Sequence, residues 1–537
     1  MAWISEQKNT LSTVFFLTAA LAYLKFDGTR RPRDYVVASA FFVAALLSKS
    51  VTATLTGALL VALWWRRGRL TWARDFRPML PWFAIGAVVA AFTGWVEHTV
   101  VGAKGPDFAL NLAERFIVAG RAIWFYFGKL VWPADLIFIY PRWGIRADQV
   151  WQWAFLVAAF LVLGVFWRLA RTTRAPLAAL LVYAGTLAPT LGFFNIYAFI
   201  YSFVADHWQY LASIAVIVPA AALWARWRER ARGWGPIWAA GVVLGCLGSL
   251  TWHQSQLYTG IERLYRITLA KNPECWMAHN NLGLLLVGAG RTTEAIGHYR
   301  AAIRILPTHP LAHNNLGIAL QQLPGRLPEA IAQFREAIRL RPEFDLAHAN
   351  LGQALAPDPA RRDEALACYR RALELNPANV EAHDNCANLL AGLPGREAEA
   401  DGHYKQALRL RPSFVGAHCN YGNFLARLPG RAPEAIAQYR RALQIDPSYF
   451  DALLNLANEV AKLPGQGAEA LALYQAATRV RPTSADARNN LAVWYAVNGQ
   501  PGKAVEQFEI ALRLNPGSES ARQNLELARA EMNRLPR

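Results

Sequence analysis

The distribution of apolar residues divides the chain into two halves. Residues 1–255 contain nine long apolar runs, whereas residues 256–537 show regular helical periodicity. Because a helix needs about 20 mostly apolar residues to cross a bilayer, the first half predicts a multi-pass helical membrane domain. The runs lie at residues 10–26, 35–48, 51–65, 79–96, 116–131, 151–167, 176–193, 208–225 and 236–252.

One of these runs contains two cations. Arg121 and Lys129 lie within residues 116–131, beside three aromatic residues. Two cations in the middle of a helix are costly in lipid, so this run is predicted to lie at the membrane interface. Residues 1–255 are therefore predicted to form about eight spans plus one interfacial helix.

The second half repeats with a period of 34 or 35 residues. Each unit reads as two helices, with small residues where the helices cross, an aromatic residue on the second helix and a closing proline. This pattern is that of the tetratricopeptide repeat, and it makes the predicted fold class all-α. Residues 256–516 are predicted to hold one half repeat plus seven full repeats, and residues 517–537 a cap helix and tail. The prolines that mark the period most clearly are Pro307, Pro342, Pro377, Pro412, Pro447 and Pro482.

An asparagine recurs once in every repeat, at the same position of the first helix. An amide offers both a donor and an acceptor, so a stacked row of amides could bind an extended peptide backbone irrespective of its sequence. The competing interpretation is that each asparagine forms a local structural hydrogen bond. The row consists of Asn281, Asn315, Asn350, Asn385, Asn420, Asn455 and Asn490.

Histidines and cysteines do not predict a metal site. One histidine per repeat places neighbours too far apart to share an ion, so packing between helices is expected, and no metal is predicted. The five cysteines form no Cys-x-x-Cys pair and are expected to be free thiols, although a bridge from Cys368 to Cys386 stays open. The histidines of this row are His279, His313, His348, His383 and His418.

Charge indicates how the chain is oriented. The net charge is +18, but no nucleic-acid motif is present, so nucleic acid is not expected as a partner. Loops at residues 25–33, 66–77, 168–174 and 226–232 carry 16 cations, and the opposite loops carry five. Since cation-rich loops stay in the cytoplasm, the chain is predicted to be integral to the inner membrane, in contact with its lipid. The repeats are then periplasmic, or luminal in a eukaryote.

Four short stretches resemble the transmembrane and tetratricopeptide repeat protein family, whose membrane part is similar to GT-C-type protein O-mannosyltransferases. They are Ala-Trp-Ile-Ser-Glu-Gln-Lys at 2–8, Leu-Leu-Ser-Lys-Ser at 46–50, Tyr-Pro at 140–141 and Ala-Asp-His-Trp-Gln-Tyr-Leu at 205–211. The chain departs from that family at His207, where arginine is usual, and at Ser50, where proline is frequent. The loop that carries the family's acidic catalytic residues would precede Met1, so either the N-terminus is truncated or this form is not a complete enzyme.

The resemblance implies a polyprenyl-phosphate sugar donor and an acceptor polypeptide held by the repeats. A phosphate needs cations, and deprotonation of an acceptor hydroxyl needs a carboxylate. The weak candidates for the carboxylate are Glu6 and Asp206, and those for the lipid phosphate are Lys8, Lys49, Arg142 and His207. Two functions remain open: a membrane protein that binds polypeptides for O-glycosylation, by mannosyl transfer, and a non-catalytic membrane scaffold for complex assembly. The sequence does not decide whether the chain is an enzyme.

Overall fold

A computed structural model of the chain describes residues 2–103, 108–231 and 233–534. Helices make up its regular structure, and the described residues contain no β-strand, which confirms the predicted all-α class. The chain separates into two compact units, residues 1–307 and 308–537.

The first unit holds the apolar helices and the beginning of the repeats, and each predicted apolar run coincides with a helix. Its helices are α1 (Ala2–Thr29), α2 (Pro32–Ser48), α3 (Leu55–Arg67), α4 (Leu80–Val96), α5 (Leu112–Val131), α6 (Ala154–Leu169), α7 (Ala175–Leu187), α8 (Ile214–Arg230), α9 (Gly235–Ser255), α10 (Ile261–Lys271), α11 (Trp276–Gly288) and α12 (Thr292–Ile305).

Among the residues that the structure describes, four stretches are long and apolar enough to cross a membrane: Gln7–Thr29, Trp72–Val101, Val150–Leu169 and Gly235–Ser255. The apolar helix Ala175–Thr190 is shorter. Membrane association is therefore indicated by length and composition, while the total of about eight spans and the side of the membrane stay predictions.

Aromatic packing holds α1, α2 and α4 together. The ring of Trp82 stacks on Phe42 with centroids 4.3 Å apart and meets Tyr23 edge-on at 5.2 Å. Its indole N–H donates to the Ser39 hydroxyl over 2.9 Å, so the polar atom of this buried ring is satisfied. These helices form a packed core of their own.

Helix α5 contains the two cations of the predicted interfacial run, Arg121 and Lys129, and also Arg115. The Arg121 guanidinium lies 4.6 Å from the centre of the Trp143 ring, and the Lys129 ammonium donates to the Ala134 carbonyl over 2.7 Å. Asn111 and Glu114 form a capping box at the start of this helix. Arg121 and Lys129 thus have partners outside the helix, and the interfacial position of this run stays a prediction.

The second unit consists of paired helices and one final helix. Its helices are α13 (Pro310–Gln321), α14 (Leu327–Leu340), α15 (Asp345–Leu355), α16 (Arg362–Leu375), α17 (Val380–Leu390), α18 (Glu397–Leu410), α19 (Val415–Ala426), α20 (Ala432–Ile445), α21 (Phe450–Val460), α22 (Gly467–Val480), α23 (Ala485–Val497), α24 (Pro501–Leu514) and α25 (Glu519–Arg534). The last helix occupies the position at which the sequence predicts a cap.

Within each pair, a small residue on the first helix faces an aromatic ring on the second. A Cβ atom added at Gly422 would lie 2.5 Å from Cε1 of Tyr439, so glycine lets the ring approach the backbone. The turn between the helices also uses glycine, since Gly430 has a φ of 76°. The sequence-predicted hairpins are therefore built as expected, with an aromatic side chain buried in each.

Candidate functional site

The asparagine row lies on the face formed by the first helices of successive repeats, which we call the A-helix face. All seven side chains are half-buried. In unit 2, a row amide typically donates to the preceding repeat: Asn350 to Asn314 Oδ1 over 2.9 Å, and Asn455 to Asn423 Oδ1 over 2.7 Å. The row therefore links neighbouring repeats, and part of its hydrogen-bonding capacity is structural.

The contact to the preceding repeat uses only part of what an amide offers. An amide has two N–H donors and an oxygen with two lone pairs, and this contact uses one N–H. Asn455 makes a further contact, to the Cys419 thiol. Asn385 differs from the rest because its side chain makes no hydrogen bond to any residue that the structure describes. Both interpretations of the row, local and ligand-binding, thus have support in the geometry.

A second asparagine row runs parallel to the first, three residues later on the same helices. Asn388, Asn423 and Asn458 each accept a hydrogen bond from a tyrosine hydroxyl of the second helix, over 2.7 to 2.8 Å. This row was not predicted, although its 35-residue spacing is visible in the sequence. The tyrosine contacts fix the amide orientation, because the oxygen accepts and the nitrogen must then point elsewhere.

An open cleft of about 370 Å³ is lined by asparagines of both rows in the fifth and sixth repeats. Its polar walls combine amides with one cation and one carboxylate, so it offers donors and acceptors to a peptide backbone. The lining residues are Asn423, Ala426, Arg427, Tyr439, Asn455, Asn458 and Glu459.

One carboxylate is buried beneath the A-helix face. Asp384 is 5% exposed, and its Oδ2 accepts from Asn420 over 2.9 Å and from Asn388 over 3.2 Å. Its Oδ1 is buried without a partner. Burial raises the pKa of Asp384 to about 6, although the two amide donors act in the opposite direction.

In unit 1, two of the sequence stretches that carry the family resemblance, 46–50 and 140–141, contact the segment 205–211. Lys49 donates to Asn9 Oδ1 over 2.5 Å, and its ammonium lies 4.7 Å from the centre of the Tyr210 ring. Ser12 shares a hydrogen bond of 3.2 Å with the Tyr210 hydroxyl. Asn9 and Tyr210, which lie about 200 residues apart in the sequence, are therefore both in contact with Lys49.

The same segment carries the better described of the two candidate carboxylates. Tyr140, from the Tyr-Pro stretch, donates its hydroxyl to Asp206 Oδ1 over 2.7 Å. Burial raises the pKa of Asp206 to about 6, and the bond from Tyr140 and the charges of Lys129 and Lys271 partly offset that rise. Asp206 is thus poised to change protonation near neutral pH.

Helix α10 packs on the loop that carries Tyr140. Asn272 donates to the Ile139 carbonyl over 3.2 Å, and Lys271 lies 3.4 Å from Asp135 Oδ1. Phe138 meets Tyr265 edge-on, with ring centroids 6.3 Å apart. The beginning of the repeats therefore contacts the loop beside Asp206.

The other predicted residues of unit 1 differ in burial and contacts. The Arg142 guanidinium lies 5.2 Å from the centre of the Phe203 ring, His207 is exposed beside Trp208, and Lys8 is exposed. The side chain of Glu6 lies outside those that the structure describes. Lys49 thus contacts the segment that carries Asp206 and His207.

Comparison with known proteins identifies the repeats directly. Family models described as tetratricopeptide repeat or TPR repeat match residues 274–343, 361–393, 429–463 and 465–519. Similar solved structures include YrrB, described as a TPR protein with an unusual peptide-binding site, at 25% identity over 36% of this chain and 97% of that one, with a TM-score of 0.30. A tetratricopeptide repeat protein from Parabacteroides merdae matches at 19% identity over 47% and 98%, with a TM-score of 0.37.

The curated relatives are matched over a short stretch only. Protein O-mannosyl-transferase TMTC1 from Homo sapiens and its counterpart from Mus musculus are each 38% identical over 64 residues. The match spans 12% of this chain and 7% of the length of each relative. The family models, together with the paired helices, lead to one conclusion: the second half of this chain is built from tetratricopeptide repeats.

Proposed function

We propose that this protein is anchored in a membrane, that its repeats bind extended polypeptides on the extracytoplasmic side, and that this binding serves protein O-glycosylation. The observation that carries the proposal is the pair of parallel asparagine rows on the A-helix face. Amides at a fixed 35-residue spacing present the same donor and acceptor groups in successive repeats, as a peptide backbone requires.

The link to glycosylation rests on the outer-loop residues. Lys49 brings a cation beside Tyr210 of the family-like segment 205–211, where a polyprenyl-phosphate headgroup would find a charge partner. Asp206 has a carboxylate that is ionised above about pH 6 and could accept the proton of an acceptor hydroxyl. The contact of α10 with the Tyr140 loop would place the start of the repeats beside these groups.

Peptide binding is tested most directly at Asn385, because this amide makes no internal hydrogen bond among the described residues. We expect Asn385→Ala in the full chain to weaken the binding of labelled Ser/Thr-rich peptides about 2- to 10-fold, the equivalent of one hydrogen bond. The melting temperature should not change. Fluorescence anisotropy and thermal unfolding on the same sample measure both.

A matched control is Gln444→Ala, which removes an amide that is exposed on the second helix of the fifth repeat. It should leave peptide affinity unchanged. Equal affinities for wild type and Asn385→Ala would argue against the A-helix face as the peptide site. A weakening in both variants would do so as well.

The proposed binding of a lipid-linked sugar donor is tested with radiolabelled polyprenyl-phosphate mannose and the purified chain in detergent. Lys49→Gln should weaken this binding about 10- to 150-fold, in line with loss of one charge-assisted contact of about 1.5–3 kcal/mol. Lys25→Gln alters a cation in the opposite set of loops and should have no effect. Unchanged binding in Lys49→Gln would contradict the assignment of Lys49 as a partner of the donor phosphate.

A further inference from the structure

Two of the repeats contain a histidine pair that joins their two helices. His279 of α11 faces His298 of α12, and His383 of α17 faces His403 of α18. In each pair the two Nδ1 atoms are 2.9 Å apart. The row of single histidines seen in the sequence therefore has second members on the neighbouring helix, at spacings of 19 and 20 residues.

In His279 and His383, the hydrogen bond made by Nε2 determines which tautomer is present. Nε2 of His279 lies 3.1 Å from the Pro273 carbonyl oxygen, and Nε2 of His383 lies 3.2 Å from that of Pro377. A carbonyl oxygen only accepts, so Nε2 carries the proton and Nδ1 presents its lone pair to the partner ring. In the metal-free chain the partner ring therefore donates from its Nδ1, and its proton has to move to its own Nε2 before that Nδ1 can bind an ion. A ring N–H held by a backbone carbonyl is also the second-shell arrangement typical of metal-binding histidines.

Nothing in the surroundings of the pairs excludes a cation. Glu294 and Glu274 lie near the first pair and Glu399 near the second, balanced by Arg266 and Arg304, and by Arg370. His298 and His403 are half-buried, so part of each of these side chains is in contact with solvent.

We propose that each histidine pair binds one Zn²⁺ ion or a similar borderline divalent cation, through the two Nδ1 atoms, with water completing the coordination. A tetrahedral ion with N–Zn bonds of about 2.0–2.1 Å separates two nitrogens by roughly 3.3 Å, so the rings need to open by about 0.4 Å. No group of three histidine, cysteine, aspartate or glutamate side chains in the described residues could hold an ion. Each site therefore has two protein ligands, and the ion clamps the two helices of one repeat.

The chain supplies its own controls at the equivalent positions of other repeats. His313 faces Gln333 and His418 faces Gln438, with Nδ1 to Oε1 distances of 2.7 Å in both cases. An amide oxygen is a poor ligand for this class of cation, so these two repeats should not bind it. Cys368 occupies the equivalent position of the third repeat, and its thiol is removed by Cys368→Ser in the experiments below.

The experiment measures Zn²⁺ stoichiometry by equilibrium dialysis of the untagged full chain in detergent at pH 7.5, in the Cys368→Ser background. We expect two saturable ions per chain. His298→Gln and His403→Gln should each remove one ion, while Gln438→Ala should remove none. Gln438→His should add a third ion, because it pairs His418 as His383 is paired.

The proposal is overturned if His298→Gln and His403→Gln bind as many ions as the parent chain. It is also overturned if Gln438→Ala loses an ion, since the loss would then follow from altered packing. Peptide affinity is measured on the same samples without added metal. Loss of zinc with intact peptide binding separates this proposal from the function proposed for the A-helix face.

Discussion

Asp384 illustrates how one side chain can oppose the stability of its own repeat. Its folded-state pKa of about 6 lies above the ordinary value of 3.8, because burial disfavours the charged form. Between these two values the native state holds a proton that the unfolded state has lost. Stability therefore falls as pH rises from about 4 to about 6, and it stays low above that range.

We expect Asp384→Asn to abolish this pH dependence and to stabilise the chain at pH 7 by about 1–3 kcal/mol. Asn280, Asn314 and Asn489 occupy the same position in other repeats, so an amide fits the site. Thermal unfolding of the full chain from pH 4 to pH 7.5 measures the effect. Asp486→Asn, at an exposed position, should leave the profile unchanged.

Asn420 and Asn385 belong to the same row but should differ in their effect on stability. Asn420 donates to the Asp384 carboxylate, and a hydrogen bond to a charged group is worth about 1.5–3 kcal/mol. Asn420→Ala should therefore destabilise the chain by about that amount, whereas Asn385→Ala should cost less than about 0.5 kcal/mol. Similar melting temperatures for the two variants would contradict the inter-repeat role assigned to the row.

At the scale of helices, glycine has two different effects in the repeats. Gly402 lies inside α18, and a Cβ atom added there meets nothing within 4 Å. Gly402→Ala should therefore stabilise the chain by about 0.5–1 kcal/mol, through the lower entropy of the unfolded chain. The midpoint of thermal unfolding should rise accordingly.

Gly422 gives the contrasting case in the neighbouring repeat. The methyl group of Gly422→Ala would press against the Tyr439 ring and force it to move. Ala387 and Ala457 occupy the same position in adjacent repeats, so the ring can adapt. We therefore expect Gly422→Ala to lower the free energy of unfolding by about 1 kcal/mol, at the lower end of the usual cost of overpacking. A stabilising effect here would show that the ring is not in close contact with the helix.

At the scale of the whole molecule, orientation in the membrane is the main prediction. The 16-to-5 distribution of loop cations predicts that the repeats lie away from the cytoplasm. A reporter that is active only in the cytoplasm, fused after residue 537, should give no signal, and one active only outside should give a strong signal. A bright cytoplasmic reporter would reverse the orientation and remove the basis for the glycosylation proposal.

The sequence was sufficient for the features that depend on local periodicity. The helical runs, the hairpins of each repeat, the buried aromatic residue and the glycine turn follow from spacing, because helices and tight turns are set by residues close together in the chain. The asparagine and histidine rows were visible for the same reason. The sequence also predicts membrane association, because this prediction depends on the length of the apolar runs.

Tertiary structure decided what those rows contact. The partner of Asn420 lies 36 residues earlier, and the partner of His383 lies on another helix, so neither contact has a local signature. The meeting of Lys49 with Asn9 and Tyr210 likewise depends on how distant helices pack. Periodicity determines which face of a helix a residue occupies, but only packing between helices determines which side chain it meets there.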